Sequence, residues 1–372
     1  MNKRIRIVLS IILCLAFVGA LGSAPAAKAS PVVPPQPQEY LSKGGDTVSI
    51  KATDGAIAPT VSFTREQRQA AIPMALTDLK ASDFNSMPNT SDGAPGYTAG
   101  GMGDPAALEK AMAENPEAMA AANDRSALPA PSLTQPFGTK NTWTGYLGNY
   151  FSPFYTTYPY RTVGQLFFTD GASTYSCTAT LISHDTIVTA AHCVYNTDYN
   201  FWYGSWTFYP GYMNGTALGV SSWYSAIVLT KWQDAKKSSK GLTYDVALIQ
   251  LYDDLGYDFG WLGWTYNMNS KNVHHAIGYP SNITGGNYTY ICVAESFTKS
   301  SNLGMGCDMT FGSSGGPWIL WLLPYQDAYP YSAYGNYVNA VVSGGVVGTP
   351  TFYGPRFTTK NIIPLCWGTG WC

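Results

Sequence analysis

The sequence predicts an all-β domain of roughly 230 residues behind a long leader. Three observations lead there. After about Asn141, short runs rich in Val, Ile, Thr, Tyr and Phe alternate with Gly, Asn, Asp and Pro, the pattern of many short strands joined by tight turns in a β-sandwich or β-barrel. No long helical period and no convincing internal repeat interrupts that pattern. A hydrophobic fraction of 45% supports a real core, while only 12% of residues are charged, so the polar surface must come largely from Tyr, Thr, Ser, Asn and Gly. The net charge of -2 excludes an electrostatic footprint for nucleic acid.

The chain opens on a secretory-signal pattern at 1–29. Lys3, Arg4 and Arg6 precede an apolar run from Ile7 to Leu21, too short for a comfortable membrane span, and Ala27-Lys28-Ala29 places small residues for cleavage after Ala29. No later stretch approaches ~18 uninterrupted apolar residues, so the expectation is a secreted, extracellular protein free of the membrane once the signal is removed. Residues 30–140 form a propeptide-like leader, rich in Ala, Pro and Met and starting with PVVPPQPQ. It has no cysteine and few aromatic residues, so alone it would bury too little for a firm core and is expected to be mobile and removable. Thr64–Lys80 could be helical but carries Pro73, which should break it. Asp104–Asp124 begins with an Asp-Pro pair suited to a cap and first turn.

Residues 141–372 form the compact domain. Its clearest strands are 162–168 (TVGQLFF), 177–182 (CTATLI), 186–190 (TIVTA), 245–251 (DVALIQL) and 339–347 (NAVVSGGVV). Six cysteines follow the signal segment, an even number that favours disulfides in a secreted chain. Their spacing suggests three local loops, Cys177 to Cys193, Cys292 to Cys307 and Cys366 to Cys372, out of the pairings six cysteines allow. No C-x-x-C and no helically spaced histidine pair supports a metal site, and no cofactor is expected.

Three motifs carry chemistry. TAAHC (Thr189–Cys193) puts His192 at a strand end beside a cysteine, where a clamped backbone suits a general base. YDVALIQL (Tyr244–Leu251) puts Asp245 at the head of an apolar run, where a buried carboxylate can hold an imidazole through Nδ1–H and fix its tautomer. FGSSGGPW (Phe311–Trp318) surrounds Ser314 with glycines, whose backbone freedom suits an exposed nucleophile and lets the N–H groups of Gly312 and Ser314 converge on a developing oxyanion. His184 reads as a turn residue, and His274 and His275 as barrel or surface residues.

TAAHC, D-V-A-L and G-x-S-G-G-P, in that order, resemble the chymotrypsin/trypsin-like serine proteases. The compact Cys-Asp-Met-Thr lead-in is similar to microbial members, including those grouped with glutamyl endopeptidases. The likeness covers about residues 158–360 and does not extend to the leader. It implies two six-stranded antiparallel barrels with the site in the cleft between them. It also implies a Cys177–Cys193 bridge, and His192 as base and acid, Asp245 as its orienting partner and Ser314 as nucleophile. Asp308, six positions before Ser314, would lie at the base of the primary specificity pocket and select Arg or Lys through a charge-assisted pair. Ser343 and Gly345 would supply main-chain contacts to substrate. Val342 stands where glutamate-selective relatives often carry a histidine. Ser313 replaces the Asp that usually precedes the nucleophile and receives the new N-terminus in animal trypsins, so that activation switch is not expected. The expected protein is a monomeric secreted endopeptidase acting on protein or peptide substrates; the alternatives are a catalytically weak or inactive binding module on the same fold and a lectin-like β-protein.

Overall fold

The computed structural model describes residues 39–52, 62–80, 93–117, 120, 143–148, 154–234, 241–299, 301–323, 335–346 and 349–372. The expected signal segment and the proline-rich start of the expected leader lie outside them, as does the expected junction near residue 140.

Among the described residues the leader contributes strands β1 (Glu39–Gly44), β2 (Thr47–Lys51), β3 (Ile72–Pro73), β4 (Thr77–Leu79) and β5 (Gly96–Thr98), with helices α1 (Arg65–Gln69) and α2 (Pro105–Glu114). Helix α1 starts on a capping box: the Thr64 hydroxyl accepts the Gln67 N–H, and the Gln67 side chain accepts the Thr64 N–H. It ends before Pro73, as the sequence requires, and the chain runs on extended. Helix α2 starts where expected, with Asp104 accepting the Ala106 N–H at 2.9 Å and Pro105 at the first turn, and breaks at Asn115; residues 121–124 of the expected helix lie outside the described residues.

The first half of the domain follows β6 (Thr144–Leu147) and holds β7 (Val163–Thr169), β8 (Thr174–Leu181), β9 (Thr186–Thr189), the small hairpin β10 (Tyr195–Asn196) and β11 (Phe201–Trp202), β12 (Gly204–Pro210), β13 (Ser221–Leu229) and β14 (Ala247–Leu251). Strands β13-β12-β7-β8-β9-β14 pair antiparallel, and β14 pairs back to β13, closing a six-stranded barrel that leaves parts of β13 and β8 open to further pairing. The second half holds β15 (Gly263–Tyr266), β16 (Val273–Gly278), β17 (Tyr290–Glu295), β18 (Phe297–Lys299), β19 (Asn302–Gly306), β20 (Pro317–Leu320), β21 (Tyr337–Val341), β22 (Gly344–Val346) and β23 (Thr351–Pro355). It is built from two sheets, β5-β15-β21-β20-β16-β17-β6 and β18-β19-β23-β22-β4. They share one apolar cluster containing Ala276, Leu303, Met305, Trp318, Ala340 and Phe352, and are tied by an Ala340–Arg356 bridge and the Cys292–Cys307 disulfide. This is the two-barrel architecture, with the second barrel's ladder interrupted between its sheets.

The leader departs from the expectation of a loose appendage. Strand β2 pairs along β13 and buries Val48 and Ile50 against the first barrel. Phe63 packs on Phe167, ring centroids 6.2 Å apart. Phe168, on the opposite face of β7, packs on Tyr203 at 4.9 Å. Six of the seven β7 residues are therefore buried, where an uncovered barrel strand would alternate. Each large apolar side chain so buried contributes roughly 1.5–3 kcal/mol, which is how a segment without a core of its own becomes ordered. The three cysteine loops close as the spacing suggests, Cys177–Cys193, Cys292–Cys307 and Cys366–Cys372.

Candidate active site

Strand register brings the first two side chains together. β9 pairs antiparallel with β14, Thr189 opposite Ala247. His192 lies three residues past Thr189 in a 3₁₀ turn, and Asp245 two residues before Ala247, so both leave the same end of the pair. Both Asp245 carboxylate oxygens are engaged: Oδ1 accepts the His192 backbone N–H at 2.8 Å, and Oδ2 lies 2.7 Å from His192 Nδ1. The Ser343 hydroxyl also donates to Oδ2. Asp245 is fully buried and His192 nearly so. A buried carboxylate facing Nδ1 fixes the proton there and leaves Nε2 with its lone pair, the state a general base needs.

The His192 turn is rigid. Cys193 is bonded to Cys177 on β8, and its carbonyl accepts the Trp206 indole N–H at 3.0 Å.

Ser314 sits in the loop before β20, and that loop is braced from both barrels. The Thr178 N–H donates to the Ser314 carbonyl at 2.8 Å, and the Thr178 hydroxyl to the Gly312 carbonyl at 2.9 Å. The Gly315 N–H donates to the Val342 carbonyl at 2.7 Å. Gly312 and Gly315 have φ of +88° and +82°, conformations L side chains rarely adopt; a Cβ on Gly315 would stand 2.1 Å from Thr189 Oγ1. Ser313 turns its hydroxyl onto the Thr310 carbonyl at 2.6 Å, closing the loop on itself without an ion pair.

Ser314 Oγ and His192 Nε2 are both buried, and neither has a hydrogen-bond partner among the described residues. The hydrogen bond between them is therefore not formed in this structure; such contacts often tighten only on binding substrate. The Gly312 N–H instead donates to the carbonyl of leader residue Met74 at 3.0 Å, and the Ser343 carbonyl accepts the leader's Thr77 N–H at 3.0 Å. Gly345 pairs with Asp78 of β4. Three of the backbone positions expected to contact substrate, Gly312, Ser343 and Gly345, thus each bond to or pair with a leader residue.

Asp308 lies apart from this cluster. Its carboxyl is partnered by the Tyr290 hydroxyl and Trp143, and burial pushes it above the usual carboxylate range. Its carbonyl accepts from the Asn282 side chain at 2.8 Å. His274 is buried in β16, with Nε2 3.0 Å from Asn339 Oδ1. His184 stacks on Tyr257 at 4.9 Å and lies 2.9 Å from Asp254, in a turn. Sequence reasoning missed the Ser343 hydroxyl, the bracing role of Thr178 and the leader's contacts. Ser343 and Asp245 lie 98 residues apart, and only strand register brings them together. Among the described residues, two of the three clusters with metal-like spacing include disulfide-bonded cysteines, and the third is His184, Asp185 and Asp254.

The family model for Trypsin matches residues 155–345, just over half of the chain, and the chain belongs to that family. Among curated relatives, the "Extracellular metalloprotease" of Bacillus subtilis (strain 168) is 34% identical over 134 residues, covering 35% of this chain and 40% of that protein. The "Glutamyl endopeptidase" of Bacillus licheniformis is 29% identical over 212 residues, covering 56% of this chain and 62% of that protein. The chain thus spans less than two thirds of either relative's length. Of solved structures, the protease Anisep from Arthrobacter nicotinovorans aligns at 26% identity and a TM-score of 0.48, over 57% of this chain and 96% of that one. A Glu endopeptidase aligns at 21% identity and 0.49, over 63% and 98%.

Proposed function

We propose that the chain is the precursor of a secreted serine endopeptidase. The observation that carries this reading is the buried pair of Asp245 and His192, 2.7 Å apart, beside a glycine-bent loop presenting Ser314, within a family of that chemistry. Ser314 Oγ attacks the substrate carbonyl carbon while His192 Nε2 takes its proton; Asp245 holds the imidazole and stabilises the imidazolium. The N–H groups of Gly312 and Ser314 receive the oxyanion, each such donor being worth roughly 10²–10³ in turnover. His192 then returns the proton to the leaving amine, and water, activated by the same base, releases the acyl group. No cofactor takes part. Residues 1–29 are read as the signal and 30–140 as a propeptide that assists folding or blocks the cleft, acting on the domain 141–372; the processed protein is monomeric and acts on proteins or peptides.

Ser314→Ala and His192→Ala are expected to abolish hydrolysis of a denatured protein by the processed protein recovered from the medium. Normal turnover in either variant removes the triad. The finer part of the proposal, cleavage after Arg or Lys, rests on Asp308. Its present partners are neutral donors, which a cationic substrate side chain must displace. Asp308→Ser is expected to erase any Arg/Lys preference in a peptide-library digest while leaving turnover; an unchanged cleavage pattern assigns selectivity elsewhere.

A further inference from the structure

The leader segment from Ile72 to Leu79 lies in the candidate cleft, and its direction matters. Ile72 and Pro73 pair in parallel with Tyr175 and Ser176 on β8, beside the Cys177 bridge. The Met74 N–H donates to the Ser176 carbonyl at 2.9 Å, and the Met74 carbonyl accepts the Gly312 N–H at 3.0 Å. A Cβ on Gly312 would stand 3.3 Å from Pro73 Cβ, so the segment lies tight on the nucleophile loop. Thr77 to Leu79 then pair in parallel with Gly344 to Val346 of β22.

Resting on the protease reading above, we propose that Ile72–Leu79 is a built-in inhibitory strap that occupies the cleft in the direction opposite to a substrate. On the protease reading, a substrate's acyl side would pair with β22, where Gly345 and Ser343 just before the strand flank the pocket, and its leaving side would run toward β8. The strap does the reverse. Residues before Met74 lie on β8, and residues after it lie on β22. Its Met74 carbonyl uses an oxyanion donor, but the amine that would leave, on Ala75, heads toward the acyl side. The strap therefore binds the machinery without presenting a cleavable bond in register.

Both ends are held. Upstream, Arg68 donates to the Gly215 carbonyl at 2.7 Å and lies over the Tyr209 ring at 4.7 Å. Downstream, Leu79 is buried with Leu242 and Tyr353. Between strap and first barrel remains a cavity of about 320 Å³ that reaches His192 and is lined by Met74, Leu76, Tyr195 and Trp232. His192 Nε2 and Ser314 Oγ are buried, with no hydrogen-bond partner among the described residues.

The test uses the full chain, wild type and two strap variants, Met74→Pro and Thr77→Pro. Each variant removes one strap N–H and its backbone bond. Losing about 1.4 kcal/mol of strap binding is a factor of ten in the uncapped fraction, so Ser314 should react with a biotinylated fluorophosphonate about tenfold faster or more in both variants. Equal rates in wild type and both variants overturn the strap and leave the protease reading standing. No reaction at Ser314 in any of the three, nor in processed protein, overturns both. Against misfolding of the variants, a synthetic peptide of Ile72–Lys80 is added in large excess to processed wild-type protein. It is expected to inhibit competitively and remain intact; cleavage at Met74–Ala75, or no inhibition, overturns the reversed mode.

Discussion

Asp245 receives three hydrogen bonds, from the His192 N–H, His192 Nδ1 and the Ser343 hydroxyl, and each constrains a different freedom of the site. The first fixes the turn, the second the tautomer, and the third the carboxylate plane. Two predictions belong at this scale. Asp245→Asn is expected to cut turnover by about 10⁴-fold, because the amide cannot hold the required tautomer. Ser343→Ala removes a hydrogen bond to a charged group, worth about 1.5–3 kcal/mol, and is expected to lower kcat by roughly 10- to 100-fold with KM little changed. Steady-state kinetics on the processed enzyme check both. A rise in KM at constant kcat in Ser343→Ala would place Ser343 in substrate binding instead. The pairing of His192 with Asp245 was legible because TAAHC, D-V-A-L and G-x-S-G-G-P occur together and in that order, each motif being weak alone. The Ser343 hydroxyl was not, since nothing near residue 343 says which way its side chain faces across the cleft.

Among the secondary-structure elements, the strands of the domain were legible and those of the leader were not. The expected strand at 186–190 appears as Thr186–Thr189, and that at 177–182 starts slightly earlier, at Thr174. The expected run 339–347 divides at Val342 and Ser343, where the backbone turns to meet the nucleophile loop and β23. Pro73 announced the end of α1. Strand β2 does alternate, with Val48 and Ile50 between Thr47, Ser49 and Lys51, but five residues were too few to single it out, and β3 and β4 are shorter still. They are strands because β13, β8 and β22 offer unpaired backbone beside apolar surface, a tertiary preference that overrides local propensity. Asp308 shows the same limit: counting back from Ser314 gives its place in the chain, while its partners Tyr290 and Trp143 come from β17 and the residue just before β6.

For the molecule as a whole, the leader and the two barrels form one folding problem. Val48, Ile50, Ala52 and Phe63 belong to the same buried cluster as the first barrel's core. Acid exposes a weakness in the second barrel. Burial pushes the His274 imidazole down to about 4 from an ordinary 6.5. The unfolded chain therefore binds a proton in that window that the folded chain does not. The neutral ring's stability is fully present above about pH 6.5 and is lost progressively as pH falls toward 4, about 3 kcal/mol in all. The melting temperature should fall over that range, and His274→Gln should flatten the fall; an identical pH profile in the variant would assign the acid sensitivity elsewhere.

The central claim is that Ser314 is a working nucleophile activated by His192. Peptide mass spectrometry of folded protein freed of residues 1–140, before and after treatment with diisopropyl fluorophosphate, tests it most directly. A single adduct on Ser314, absent in His192→Ala, is expected. Leader-free, folded protein that takes no adduct would contradict it and leave a protease-shaped binding module in its place.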